Sequence, residues 1–149
     1  MDNIRKINDD VSIATNQPSE EQFRQAKKAG FKSVLNLRAA GEEGAIANES
    51  QQVEAAGLIY ANIPVKPSNM DEALANNVLE KIEQLPEPVL AHCKSGLRSG
   101  AMALMYDAVK HNKSAEEALE KGKMSGFDCD AHPEMKQFFV KYINEHSEA

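Results

Sequence analysis

This sequence holds only two cysteines, Cys93 and Cys129, 36 positions apart, too few for a disulfide framework. No apolar run approaches the roughly 18 residues that a membrane helix needs. Met1-Asp2-Asn3-Ile4-Arg5-Lys6 is not followed by a signal-type apolar core, so a cytoplasmic location is expected, where a reactive thiol stays reduced. Positive charge is not in excess: 17 Lys and Arg stand against 23 Asp and Glu, a net charge of -6. Neither nucleic acid nor an anionic membrane surface would be attracted to such a body. Internal repeats, low-complexity tracts and long linkers are absent. What remains is 149 residues, 42% hydrophobic and 27% charged, which suits one domain over 1–149 with a sizeable core.

The patterning that is present alternates strands with helices. Val11-Ser12-Ile13-Ala14 reads as a short first strand. Ser19 and Gln22 form a capping box for a helix running to about Lys28, with Gly30 as its stop. Ser33 to Leu37 is a strand, Arg38 to Ala45 a loop, and Asn48 to Ala56 a helix stopped at Gly57. Leu58 to Val65 is a strand that leaves the sheet near Pro64. Ser68 or Asn69 is expected to cap a helix with Leu74, Val78, Ile82 and Leu85 on one face. Pro86 and Pro88 end it and lead into the strand Val89-Leu90-Ala91-His92. Ala101, Leu104, Met105, Ala108 and Val109 then carry core-facing helical spacing, with Gly100 expected to let that helix lie close to the sheet. Ser114 and Glu117 form a second capping box, and Pro133 opens a last helix with Met135, Phe138, Phe139, Tyr142 and Ile143 on its apolar face. The order implies an α/β fold: a largely parallel central sheet of four to five strands flanked by helices, with three C-terminal helices after the loop that follows His92.

That loop carries the chemistry. His92-Cys93-Lys94-Ser95-Gly96-Leu97-Arg98-Ser99 places a thiol at a strand end, then a short glycine-containing turn, then a helix start. The N–H groups of such a turn converge on one spot, and the helix dipole favours negative charge there. Arg98 adds a planar fork of donors suited to a tetrahedral oxyanion. The same field favours thiolate over thiol. A nucleophile and an oxyanion site coincide, which suits covalent transfer of a phosphoryl group or a sulfur atom. Lys94, Ser95, Gly96, Leu97 and Arg98 are the candidate anion cradle.

His-Cys-loop-Arg-Ser resembles the signature loop of cysteine-dependent phosphatases, in which the loop is one residue longer. Cys-x-x-Gly-x-Arg also matches the active loop of many rhodanese-type sulfurtransferases. Val34-Leu35-Asn36-Leu37-Arg38, Ile63-Pro64-Val65 and the three helices after Arg98 extend the likeness to dual-specificity phosphatases. The chain is most similar to the phosphatase-like domain of bacterial β-lactamase-hydrolase-like proteins. Val11-Ser12-Ile13-Ala14, Gln17-Pro18, Gly30 to Val34, Asn36-Leu37-Arg38, Tyr60, Ile63-Pro64-Val65 and Pro88 to Cys93 sit where that family has them. The resemblance implies Cys93 as nucleophile, Arg98 as anion ligand and Ser99 as a donor to the Cys93 sulfur. His92 is implied to hydrogen-bond the loop backbone with its ring. It also implies a phosphate-bearing small molecule or a phosphoprotein as partner, with no cofactor.

A proton donor is harder to find. The phosphatases carry an Asp just after the strand that matches Ile63-Pro64-Val65, and here that place reads Lys66-Pro67-Ser68. Asp71 is the nearest carboxylate, with first-turn helix stabilisation as its other reading. Asp128 and Asp130 are further candidates. Arg38 has two readings, reaching the pocket or pairing with Glu42 or Glu43, and the ion pair is the favoured one. Cys129-x-x-His132 has ligand-like spacing, and His92-Cys93 would complete four ligands. The pairs are not held on a knuckle, however, and the cationic loop would repel zinc, so no metal is expected. Three functions stay open: a phosphatase working through a phosphocysteine, a sulfurtransferase working through a Cys93 persulfide, and a phosphate-binding module without turnover.

Overall fold

The computed structural model describes residues 4–39, 48–66, 70–93, 96–127 and 132–146. The elements in chain order are β1 (Ile4–Lys6), β2 (Val11–Ala14), α1 (Glu20–Lys28), β3 (Ser33–Asn36), α2 (Glu49–Ala55) and β4 (Ile59–Asn62). There follow α3 (Glu72–Gln84), β5 (Val89–His92), α4 (Leu97–Lys110), α5 (Ala115–Met124) and α6 (Pro133–His146). The strands form one sheet in the order β1-β2-β5-β3-β4. All pairs are parallel except β1 with β2. β1 was not expected from the sequence. Its three residues are too few to show an alternation, and they are held only as an exposed antiparallel edge.

Period-two alternation divides the sheet between two helical layers. Val11, Ile13, Leu35, Val89 and Ala91 join the larger core with α3, α4, α5 and α6. Ala14, Val34 and Leu90 face the other way, onto Phe23 and Ala26 of α1 and Val53 of α2. β5 lies between β2 and β3, with His92 in register with Ala14 on one side and Asn36 on the other. The carboxyl ends of three parallel strands therefore meet at His92, where open α/β sheets place their ligands.

Both capping boxes form as the sequence implies, Ser19 with Gln22 and Ser114 with Glu117. Three local expectations are corrected. The cap of α3 is Asp71, whose Oδ1 accepts from the Leu74 amide at 2.8 Å, not Ser68 or Asn69. β4 ends at Asn62, although the Ile63 and Val65 amides still bond Asn36 and Leu37 carbonyls. Pro64, which has no N–H, falls between those two donors. Finally, α4 is buried around its whole circumference from Ser99 to Ala108. The apolar stripe marked one face, and the neighbouring α3, α5 and α6 cover the others.

Candidate active site

The loop after β5 opens α4 at Gly96, which has φ +90° and serves as the N-cap. A Cβ at that position would meet the Thr15 Cα at 3.2 Å, so both backbone angle and space call for glycine. Gly100, expected to bring the helix close to the sheet, instead makes room for an aromatic ring. A Cβ there would lie 2.8 Å from the Phe127 side chain. Phe127, just past α5, is thereby seated against both glycines of the loop and first turn.

Cys93 is fully buried. Its Sγ accepts from the Gly96 amide at 3.2 Å and from the Ser99 amide at 3.5 Å. The Ser99 hydroxyl lies 3.4 Å from the same sulfur and 3.3 Å from the Gly96 carbonyl, so it caps either one. Ser99, expected as a donor to this sulfur, lies within hydrogen-bond reach of it. Arg98 is half-buried, and one N–H of its guanidinium donates to the Val65 carbonyl at 2.6 Å. That contact ties the fork to the segment after β4. Leu97 is the first residue of α4. Lys94 and Ser95 lie outside the described residues, as do Glu42, Glu43, Asp128, Cys129 and Asp130.

His92 departs from the expected arrangement. Its ring does not reach the described loop backbone but turns to the α1 and α2 side. Nε2 stands 2.7 Å from Glu49 Oε2, with both side chains buried. The reason is strand alternation: Leu90 and His92 share the face opposite Ala91. Glu49 Oε1 accepts from Gln17 at 2.7 Å, and Gln17 Oε1 accepts from Arg38 Nη1 at 3.1 Å. Arg38 is buried, its amide bonded to Asn36 and its carbonyl to Asn62. Asn36 also donates to the Tyr60 hydroxyl at 3.0 Å. Burial pushes the Tyr60 phenol up; the Asn36 bond pulls it back, and the Glu49 charge pushes it further up. Sequence reasoning did not single out Glu49, and it noted Gln17 only as part of the family resemblance. A glutamate in the first turn of a polar helix carries no signal that it is buried.

Asp71, read from the sequence as a first-turn residue or a proton donor, is instead the N-cap of α3. Among the described residues, one trio has metal-ligand reach, Glu72, Glu145 and His146; it stands at the ends of α3 and α6 and includes neither His92 nor Cys93. Two surface hollows, of about 510 and 260 Å³, lie along α6 and between α3 and α4. The first is lined by a single exposed helix face, and neither is lined by a residue of the loop, so the chemistry is not built around either. No described helix is long and apolar enough to cross a membrane.

The family model for the beta-lactamase hydrolase-like protein, phosphatase-like domain, matches residues 3–109. The beta-lactamase hydrolase-like protein of Agrobacterium fabrum is 33% identical over 129 residues, covering 85% of this chain and 30% of its own length. That of Xylella fastidiosa is 31% identical over 128 residues, covering 84% and 30%. This chain thus spans about a third of those relatives. Among solved structures, a DUF442 protein of Shewanella putrefaciens superposes with a TM-score of 0.83 at 20% identity, over 98% of this chain and 94% of that one. TpbA of P. aeruginosa, solved with phosphotyrosine, gives 0.74 at 18% identity, over 96% and 88%. The core catalytic domain of the PP-IP phosphatase SIW14 of S. cerevisiae, solved with citrate, gives 0.75 at 20% identity, over 96% and 89%. These superpositions show a fold shared with dual-specificity-type phosphatases.

Proposed function

This chain belongs to the family of the beta-lactamase hydrolase-like protein, phosphatase-like domain, and on that premise we propose that it hydrolyses phosphate monoesters through a phosphocysteine. The observation that carries the reading is the convergence of the Gly96 amide, the Ser99 amide and the Ser99 hydroxyl on the Cys93 sulfur. The Cys93 thiolate attacks phosphorus in line. The S–P bond forms as the P–O bond to the leaving group breaks. Loop amides from Lys94 to Arg98 and the Arg98 fork hold the three equatorial oxygens. The departing oxygen takes a proton from an acid or, where it is a weak base, leaves without one. Water then attacks phosphorus, the S–P bond breaks, and the thiolate returns as a leaving group stabilised by Ser99. No cofactor takes part.

The burial of Cys93 suits a slim terminal phosphoryl group on a small molecule or phosphoprotein. TpbA was solved with phosphotyrosine, which fits the same shape of substrate. For the acid, Asp71 is weakened by its duty to the Leu74 amide. Asp128 and Asp130 follow Phe127, which is packed against Gly96 and Gly100, and this favours them.

One observation favours sulfur transfer as a second reading: the short loop, in which the Gly96 amide already reaches the sulfur, encloses one sulfur atom more readily than a phosphoryl group. The test is to supply an aryl phosphate and, separately, thiosulfate with cyanide, beside a Cys93→Ser control. Turnover of the aryl phosphate that vanishes in the control supports the phosphatase reading. Thiocyanate formation without phosphate release overturns it in favour of the persulfide. Neither product, with vanadate still bound, overturns both in favour of a binding module. Within the phosphatase reading, Asp71→Asn should change rates little even for poor leaving groups, while Asp128→Asn or Asp130→Asn should slow those substrates by on the order of 10².

A further inference from the structure

We propose that Glu49 is a positioning residue of this site, holding His92 as its Nε2–H tautomer and keeping Nδ1 as a proton-free acceptor one residue before the nucleophile. The geometry leaves little choice of proton placement. An ionised carboxylate only accepts, so a 2.7 Å contact with Glu49 Oε2 puts a proton on Nε2. Nδ1 is buried and has no hydrogen-bond partner among the described residues. A proton on Nδ1 would be a buried donor with nothing among the described residues to receive it, a penalty that grows if the ring is charged. The alternative in which Glu49 carries the proton forces one onto Nδ1 and meets the same penalty.

Glu49 is itself fixed. Its other oxygen accepts from Gln17, and Gln17 accepts from Arg38. Tyr60 on β4 feels the Glu49 charge. From α1 the Phe23 ring tilts against the imidazole with centroids 6.4 Å apart. Arg38, Gln17, Glu49 and His92 come from four separate segments that meet behind the carboxyl end of β5. The imidazole so held cannot swing, and its acceptor atom stays on the side that Glu49 does not occupy. The consequence for the reaction rests on the proposed role of Cys93. A locked ring fixes the strand end from which the nucleophile projects, and it offers an acceptor but no donor from Nδ1.

The experiment is long-range nitrogen–proton NMR of the His92 ring at neutral pH, in the full chain. It needs no catalytic activity, so its failure is distinct from failure of the phosphatase reading. The wild type should show a protonated Nε2 and a bare Nδ1. An Nδ1–H tautomer or an imidazolium there overturns the proposal without any variant. In Glu49→Gln, whose amide presents either a donor or an acceptor, the pure tautomer should give way to a mixture. An unchanged tautomer in that variant also overturns it. Gln17→Ala keeps the carboxylate and should keep the Nε2–H form; its loss there would move the positioning role away from Glu49. In the kinetic arm, Glu49→Gln should lower kcat on an aryl phosphate by about 10- to 100-fold, the scale of losing a carboxylate behind a metal-ligating imidazole, with KM little changed.

Discussion

The two ends of α4 are both polar and differ in how completely their groups are paired. At the C-terminal end, Asp107 is buried, with Asn8 at 2.9 Å, Lys113 at 3.0 Å and Lys121 at 3.1 Å. Burial alone would push its carboxyl up, but Asn8, Lys113 and Lys121 outweigh burial and hold it low. Nearby, Asp10 accepts from Lys110 and Tyr106. At the N-terminal end stand a left-handed Gly96, a buried sulfur collecting donors, and a buried imidazole with one nitrogen unpartnered among the described residues. Saturated networks rigidify a fold, whereas strain and unpaired buried atoms gather where a ligand or proton is handled. One helix therefore divides the work. Its far end fastens the amino edge of the sheet, and its near end carries the proposed site.

The comparison breaks first at Arg98. Arg98→Ala should lower kcat/KM on an aryl phosphate by on the order of 10² or more, with a melting temperature close to that of the parent. Arg98→Lys should recover little of this, because a point charge does not replace the fork. Equal rates for the Lys variant would show that the near end acts by charge alone.

The mirror experiment is Asp107→Ala. Lys113 and Lys121 are about 30% exposed and turn to water, so the loss is that of one buried, charge-assisted network, about 1–3 kcal/mol. At this chain length that lowers Tm by roughly 2–4 °C per kcal/mol. Activity at a temperature where the variant stays folded should be unchanged. A large fall in kcat with no fall in Tm would mean that the two ends are coupled.

The smallest effect is the acid response of the far end. Lys110 draws the Asp10 carboxyl from 3.8 down to about 2. A carboxylate lowered on folding stabilises the fold above its unfolded value and loses that contribution as pH falls through its folded value. Stability should therefore decline between pH 3.8 and about 2. Glu87 runs the other way: burial first, then Asp10, push its carboxyl up. With solvent screening, the net Asp10 contribution is on the order of 1 kcal/mol. Chemical denaturation of the parent and of Asp10→Asn across that range measures it, and identical slopes would remove Asp10 from the fastening network.

The legibility of the molecule follows the same division. Helices with a capping box and an apolar stripe, such as α1 and α5, are written in local sequence, since cap and stripe lie within a few residues of each other. The Cys93 to Ser99 turn is legible for the same reason: donors, thiol and helix start are neighbours in the chain. β1 was not legible, because three residues at an edge take their conformation from β2. The cap of α3 was misplaced because Ser68, Asn69 and Asp71 are all competent caps, and the choice depends on where the chain leaves β4.

The sequence by itself determined an alternating α/β chain with a thiol and an arginine set around an anion-cradling turn, since each of those signals acts over one turn or one strand. Only the tertiary structure decided which way His92 faces, what Gly100 makes room for, and that Glu49 is buried. Those answers depend on the strand order β2-β5-β3 and on helices packed from both sides. A glutamate 43 positions from its histidine has no local reason to be its partner. It becomes one because strand alternation turns the ring toward α2, where a buried charge must be paired.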